Sequence, residues 1–109
     1  MMRYTVEDYI LQHISERITL RDLASRVHLS QYHFLREFKK ETGFTPKQYV
    51  ILIKLGAAME LLNHQNYRVC DVASMVGYEA PAFSNLFKKN IGMSPGEYRE
   101  RKKKLVCTA

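Results

Sequence analysis

The sequence predicts an all-α protein of about seven helices, organised as two helix-turn-helix units joined by a long shared helix. Three observations lead to this prediction. Apolar residues recur at helical spacing along most of the 109 residues, and one block of the chain occurs twice. Proline, glycine and capping residues also mark most of the expected helix ends. We expect no strand.

An internal repeat with a spacing of 49 residues relates the two halves of the chain. The stretch FKKETGFTPKQY, residues 38–49, recurs as FKKNIGMSPGEY, residues 87–98. The same shift aligns residues 18–49 with residues 67–98 without a gap. Matching pairs fall where a shared backbone needs a core residue or a cap, so two copies of one supersecondary unit are the simplest explanation.

The first unit opens with an amphipathic helix and a short capped helix. Five residues at helical spacing form the apolar face of the opening helix: Val6, Tyr9, Ile10, His13 and Ile14. Thr19 followed by Asp22 is a capping signature for the short helix, which we expect to end at His28. His28 aligns with Gly77, so a left-handed backbone is predicted at both positions.

After a tight turn, a second helix is predicted over about 31–42, ending at Gly43, with Phe34 and Phe38 one turn apart on its buried side. The shift gives the second unit a short helix over 69–76, a turn, and a second helix over about 81–91.

Two further helices begin at matching caps. Thr45-Pro46 and Ser94-Pro95 each place a capping residue before a proline at the first helical position. The first of these helices, 46–63, is the richest apolar segment, so we expect it to serve both units as a linker helix. The second runs over about 95–104 and ends in the basic run RERKKK, which we interpret as a solvated helix end.

The predicted organisation is therefore homeodomain-like and has three parts. The first helix-turn-helix unit with its opening helix occupies 1–50, and the linker helix occupies 46–63. The second unit with the C-terminal helix occupies 64–109. At about 1.5 Å per residue, a linker of some eighteen residues spans roughly 27 Å, which predicts second helices about one DNA turn apart.

The charge of the chain favours a polyanionic partner. A net charge of +6 and a pI near 9.4 suit nucleic acid or an anionic membrane surface. The sequence carries no recognisable export signal or membrane span, and Cys70 and Cys107 lack the spacing of a disulfide framework, so we expect a cytoplasmic protein. No histidine has metal-ligand spacing and no nucleophile is paired with a base, so we predict neither an enzyme nor a cofactor.

The faces opposite the phenylalanines are the candidate binding surfaces, because the second helix of such a unit fits the DNA major groove. One face carries Tyr32, Arg36, Lys39 and Lys40 with His33 beside them, and the other carries Pro81, Asn85, Lys88 and Lys89 with Ala82 beside them. Arg36 suits guanine and Asn85 suits adenine. A single lysine pair is more typical of a solvated face, but recurrence at equivalent places favours phosphate contacts.

The residues VCDVASMVGYEAPAFSNLFKKNIGMSPGEYR, 69–99, are similar to the signature of the AraC/XylS-type bacterial transcription regulators, and the resemblance covers about 6–101. It implies sequence-specific binding of double-stranded DNA near promoters, in the bacterial cytoplasm at the nucleoid, and usually activation through RNA polymerase. Many relatives carry a separate sensing or dimerisation domain, for which 109 residues leave no room. By position, the resemblance implies base contacts from Gln31, Tyr32, Leu35 and Arg36, and from Ala80, Pro81, Ser84 and Asn85.

Two departures from the family pattern lie in the second unit. Relatives often have one more residue between the Gly-aromatic pair and the first phenylalanine, and often a basic residue where Asn85 stands. We therefore expect the first unit to carry most of the sequence specificity. The alternative is a helical module that binds protein or RNA, with exposed Tyr32 and Leu35 as its anchors.

Overall fold

The computed structural model describes residues 2–108, with side chains described over residues 2–102. Across residues 2–108 the chain forms seven helices and no strand, which confirms the predicted all-α class. The helices are α1 (Met2–Gln12), α2 (Leu20–Arg26), α3 (Gln31–Thr42), α4 (Pro46–Leu62), α5 (Val69–Met75), α6 (Ala80–Ile91) and α7 (Pro95–Thr108). Within the described residues, none of the helices has the length and apolar content needed to cross a membrane.

The chain divides into two compact units, Met1–Lys54 and Leu55–Ala109, and the division falls inside α4. The first unit therefore contains α1 to α3 and the first half of α4. The second contains the rest of α4 and α5 to α7. The predicted division into 1–50, 46–63 and 64–109 stays a prediction.

Three helices begin at the capping boxes that the sequence predicts. At α2, the Thr19 hydroxyl accepts a hydrogen bond from the Asp22 amide at 3.2 Å, and the Asp22 carboxylate accepts one from the Thr19 amide at 2.9 Å. The latter bond also lowers the pKa of the Asp22 carboxyl. Gln48 and Glu97 complete the equivalent boxes with Thr45 at α4 and Ser94 at α7.

Left-handed residues end the helices where the repeat predicts them. His28 has φ 58° and the aligned Gly77 has φ 85°, so the expectation that this position needs a left-handed backbone is confirmed. Gly43 and Gly92 end α3 and α6 with φ 84° and 93°.

Helix ends differ from the sequence prediction at both termini. The helix α1 ends at Gln12, and the chain then turns over His13 to Glu16. In this turn His13 Nδ1 lies 2.8 Å from Glu16 Oε2. Ile14 still packs against the core. At the other end, α7 continues to Thr108.

The two cores repeat the same aromatic contacts. Phe34 and Phe38 are fully buried in the first unit, and the Phe38 ring meets Tyr49 edge-on with centroids 5.1 Å apart. In the second unit Phe83 and Phe87 are fully buried, and Phe87 meets Tyr98 edge-on at 5.7 Å. Burial of each such ring contributes about 1.5–3 kcal/mol. In both units the second phenylalanine of the pair thus packs against a tyrosine of the helix that follows.

A buried lysine joins α4 to the loop between α1 and α2. The Lys54 side chain is 2% exposed, and its ammonium donates a hydrogen bond to the Glu16 carbonyl oxygen at 2.7 Å. Burial lowers the pKa of the Lys54 ammonium, because an apolar environment disfavours its charged form. The contact satisfies a carbonyl group at the entrance to the helix-turn-helix.

An arginine plays a similar part in the second unit. Arg99 is half-buried, and its guanidinium donates to the carbonyl oxygens of Leu62, at 2.9 Å, of His64 and of Tyr67. These carbonyls end α4 and form the loop before α5, where backbone acceptors lack helical partners. The interpretation of RERKKK as a solvated helix end is therefore wrong for Arg99, whereas Arg101 and Lys102 are exposed.

A pair of glycine substitutions tests the helix-ending geometry. Gly92→Ala should lower the free energy of unfolding by about 1–2 kcal/mol, because a side chain disfavours the left-handed backbone. Gly56→Ala should raise it by about 0.4–1 kcal/mol, since Gly56 lies inside α4 and an added Cβ would meet nothing within 4 Å. Urea unfolding followed by circular dichroism measures both changes. Equal effects of the two substitutions would contradict a left-handed backbone at Gly92 and a helical one at Gly56.

The pH dependence of unfolding tests the buried lysine. Because the folded pKa of Lys54 lies below its ordinary value of 10.5, the unfolded chain binds more protons between the two values, and the free energy of unfolding rises with pH across that window. Lys54→Met should lose this rise, so the difference in the free energy of unfolding between wild type and variant should move in favour of wild type as the pH rises towards 10.5. Urea titrations at a series of pH values measure it, and a difference that does not change with pH would contradict the role of burial.

Candidate nucleic-acid interface

The exposed face of α3 is fixed by its capping and by its two buried rings. The Ser30 hydroxyl accepts a hydrogen bond from the His33 amide at 3.2 Å and starts the helix, while Phe34 and Phe38 point into the core. All seven residues of α3 that the sequence assigns to DNA contacts are exposed: Gln31, Tyr32, His33, Leu35, Arg36, Lys39 and Lys40. Tyr32 is 74% exposed, which is unusual for a tyrosine without a partner molecule.

Arg36 is the central charged group on this face. Its side chain is 65% exposed, lies over the Tyr32 ring at 6.0 Å, and approaches the Glu37 carboxylate with 3.7 Å between Nε and Oε2. Such exposed contacts contribute little free energy, so the guanidinium can exchange them for another partner at small cost. Together with Lys39 and Lys40 it makes the face electropositive.

The equivalent face of α6 is smaller and less charged. Phe83 and Phe87 point inward, and five of the assigned residues are exposed: Pro81, Ala82, Asn85, Lys88 and Lys89. Ala80 and Ser84, which were also assigned to base contacts, are half-buried. The structure therefore brings the exposed residues together on one side of α6 and places Ala80 and Ser84 at its edge.

Sequence reasoning missed one charged group at this surface. Glu79 occupies the N-cap of α6, is exposed, and makes no side-chain hydrogen bond to the helix end. Its carboxylate stands immediately before the residues assigned to base contacts. The sequence signal was its position directly before Ala80, since the aligned residue at α3 is the capping Ser30.

Metal-ligand and thiol side chains of the described residues form a separate point. Among them, no group of three or more His, Cys, Asp or Glu side chains is arranged to hold a metal ion. Cys70 is an exposed free thiol on α5.

Two helix-turn-helix units, each with a second helix held by buried phenylalanines and exposing a polar face, define a double helix-turn-helix protein. A family model described as a helix-turn-helix domain matches residues 23–101. The chain belongs to the AraC/XylS-type family of helix-turn-helix regulators.

Individual relatives agree with this assignment. The MmsAB operon regulatory protein of Pseudomonas aeruginosa is 38% identical over 94 residues, which are 85% of this chain and 31% of that protein. The bifunctional transcriptional activator/DNA repair enzyme AdaA of Bacillus subtilis is 37% identical over 99 residues, which are 90% of this chain and 47% of that protein. The chain thus spans a third to a half of the length of these relatives.

A solved structure shares the fold. The DNA-binding domain of AdpA, a global transcriptional factor crystallised in complex with a target DNA, has a TM-score of 0.83 and 31% identity. The match covers 92% of this chain and 90% of that one.

Proposed function

We propose that this chain binds specific double-stranded DNA as a transcription regulator of the activator type, with α3 and α6 inserted into successive major grooves. The observation that carries the proposal is the pair of buried phenylalanines in each second helix. Two rings one turn apart fix the rotation of a helix about its own axis. The opposite face is therefore exposed to solvent and can enter a DNA major groove. The net charge of +6 supplies long-range attraction to a polyanion.

The proposed contacts fall into two classes. Base edges are read by Gln31, Tyr32, His33, Leu35 and Arg36 of α3 and by Ala80, Pro81, Ala82, Ser84 and Asn85 of α6. Phosphates are bound by Lys39, Lys40, Lys88 and Lys89. The exposure of the four lysines near the ends of the two helices supports the second class, since phosphate contacts add affinity without sequence information.

The relatives support the regulatory part of the proposal. AdaA is named as a transcriptional activator, and the AdpA domain was crystallised on a target DNA. The proposal includes action at the bacterial nucleoid in the cytoplasm and contact with RNA polymerase, which the resemblance of residues 69–99 to the family signature implies. The repair activity in the name of AdaA belongs to a protein of which this chain matches 47%, and we propose no catalytic activity for the chain itself.

The salt dependence of DNA binding tests the phosphate contacts. Lys40→Ala should reduce the slope of log affinity against log salt by about 1, because one fewer counterion is released on binding. Arg3→Ala removes the same charge from an exposed site on α1, outside both second helices, and should leave the slope unchanged. Fluorescence anisotropy on a selected duplex measures both. A slope for Lys40→Ala equal to that of wild type would exclude Lys40 as a contact, and equal wild-type affinity for random duplex or RNA would favour a different partner.

Substitutions in the two second helices test how specificity is divided. Arg36→Ala should weaken specific binding by about 1–3 kcal/mol and relax discrimination at one base pair, because a bidentate contact is lost. Asn85→Ala should have a smaller effect. Competition between the selected duplex and its single-base variants provides the measurement. If Arg36→Ala leaves discrimination intact while Asn85→Ala abolishes it, the division between the units is the reverse.

A further inference from the structure

We infer that the two units read half-sites of opposite base chemistry: α3 a half-site with a guanine, and α6 a half-site of A·T pairs recognised in part through thymine methyl groups. The inference rests on the proposed function and specifies its target. It follows from residues that occupy equivalent places on the two second helices. The shift of 49 residues pairs Arg36 with Asn85, and His33 with Ala82.

The α6 half of this inference starts from the absence of charge. Residues 80–87, which form the first two turns of α6, contain no ionisable side chain, and the first cations on the helix are Lys88 and Lys89 in its last turn. Arginine and lysine are the side chains that most often read guanine O6 and N7 in the major groove. The part of α6 that reaches base edges therefore lacks the usual guanine reader.

What α6 exposes instead matches A·T pairs. Ala82 and Pro81 present apolar surface at the start of the helix, and Asn85 is exposed one turn further on, on the same side as Ala82. An alanine methyl packs against the thymine C5-methyl group, and asparagine forms a bidentate contact with adenine N6 and N7. Residues three apart are about 4.5 Å apart along a helix axis, close to the rise of about 3.4 Å between base pairs. Ala82 and Asn85 are thus spaced for neighbouring pairs.

The exposed face of α3, by contrast, carries a side chain that reads guanine. Arg36 takes the place of Asn85, is largely exposed, and has only weak exposed contacts with Glu37 and Tyr32 to exchange. Its guanidinium donates two parallel hydrogen bonds to the guanine edge. Lys39 and Lys40 follow on the same helix, so binding of a guanine is combined with phosphate attraction.

Glu79 is a charged group that opposes this assignment. A carboxylate can accept a hydrogen bond from cytosine N4, which would place a G·C pair in the second half-site. Glu79 is the N-cap residue of α6, three residues before Ala82 and six before Asn85. The inference gives Glu79 no base contact, and its conversion to glutamine is the arm of the test that checks this.

The experiment begins with selection of duplexes by the wild-type chain from a random pool. The expected product is a bipartite site in which Arg36→Ala relaxes one half, with a guanine, and leaves the other half, rich in A·T pairs, unchanged. Deoxyuridine then replaces thymidine in one half at a time, because this exchange removes only the C5-methyl group. In the α6 half it should weaken binding about fourfold, the effect of one buried methyl, and in the α3 half less than twofold.

One substitution in the protein and one modified base in the DNA complete the test. In the Ala82→Gly variant, with folding checked by circular dichroism, the uracil exchange in the α6 half should have no further effect. If Ala82→Gly does not fold, the deoxyuridine exchange with the wild-type protein still tests the inference. Replacement of the α3-half guanine by 7-deazaguanine, which lacks N7, should weaken binding about tenfold, as for a charge-assisted hydrogen bond.

Distinct results would overturn the inference and the proposed function. Equal sensitivity of the two halves to deoxyuridine, or a selected G·C pair in the α6 half that disappears with Glu79→Gln, would overturn the inference while leaving specific DNA binding intact. Failure to enrich any duplex over random DNA would overturn the proposed function, and the inference with it.

Discussion

The burial of two phenylalanine rings in each second helix is the constraint on which the rest of the structure depends. Phe34 with Phe38, and Phe83 with Phe87, lie one turn apart and are fully excluded from solvent. Two anchors on one side leave a helix no freedom to rotate about its axis. The tyrosine of the following helix packs edge-on against the second ring of each pair, so each second helix and the helix after it are fixed together.

Features set by local interactions were predictable from the sequence. The capping boxes join residues three apart in the sequence. The left-handed backbone at His28 and Gly77 was predictable because the sequence repeat aligns these two residues. The exposure of the α3 face followed from helical periodicity once its phenylalanines were placed inward. The family assignment, predicted from residues 69–99, is confirmed by the match over residues 23–101.

The features that sequence analysis missed depend on contacts between distant residues. The ammonium of Lys54 binds a carbonyl oxygen 38 residues away, and Arg99 binds that of Leu62, 37 residues away. Neither partner offers a side-chain signal, because any residue supplies a backbone carbonyl. Ala80 and Ser84 were placed among base contacts by position, and their partial burial depends on packing around α6 that periodicity does not resolve.

The duplicated scaffold uses separate residues for folding and for its outward faces. The caps at Thr45 and Ser94, the left-handed positions and the buried rings recur in both copies, whereas the exposed positions in the first two turns of α3 and α6 differ and only the exposed lysine pairs recur. Substitutions at exposed helix positions usually change stability by less than about 0.5 kcal/mol. Mutation can therefore alter either face at little cost to folding, and each copy is free to diverge without the other. For a lineage of regulators, this arrangement makes a new target sequence accessible through single substitutions that keep the protein folded at every step.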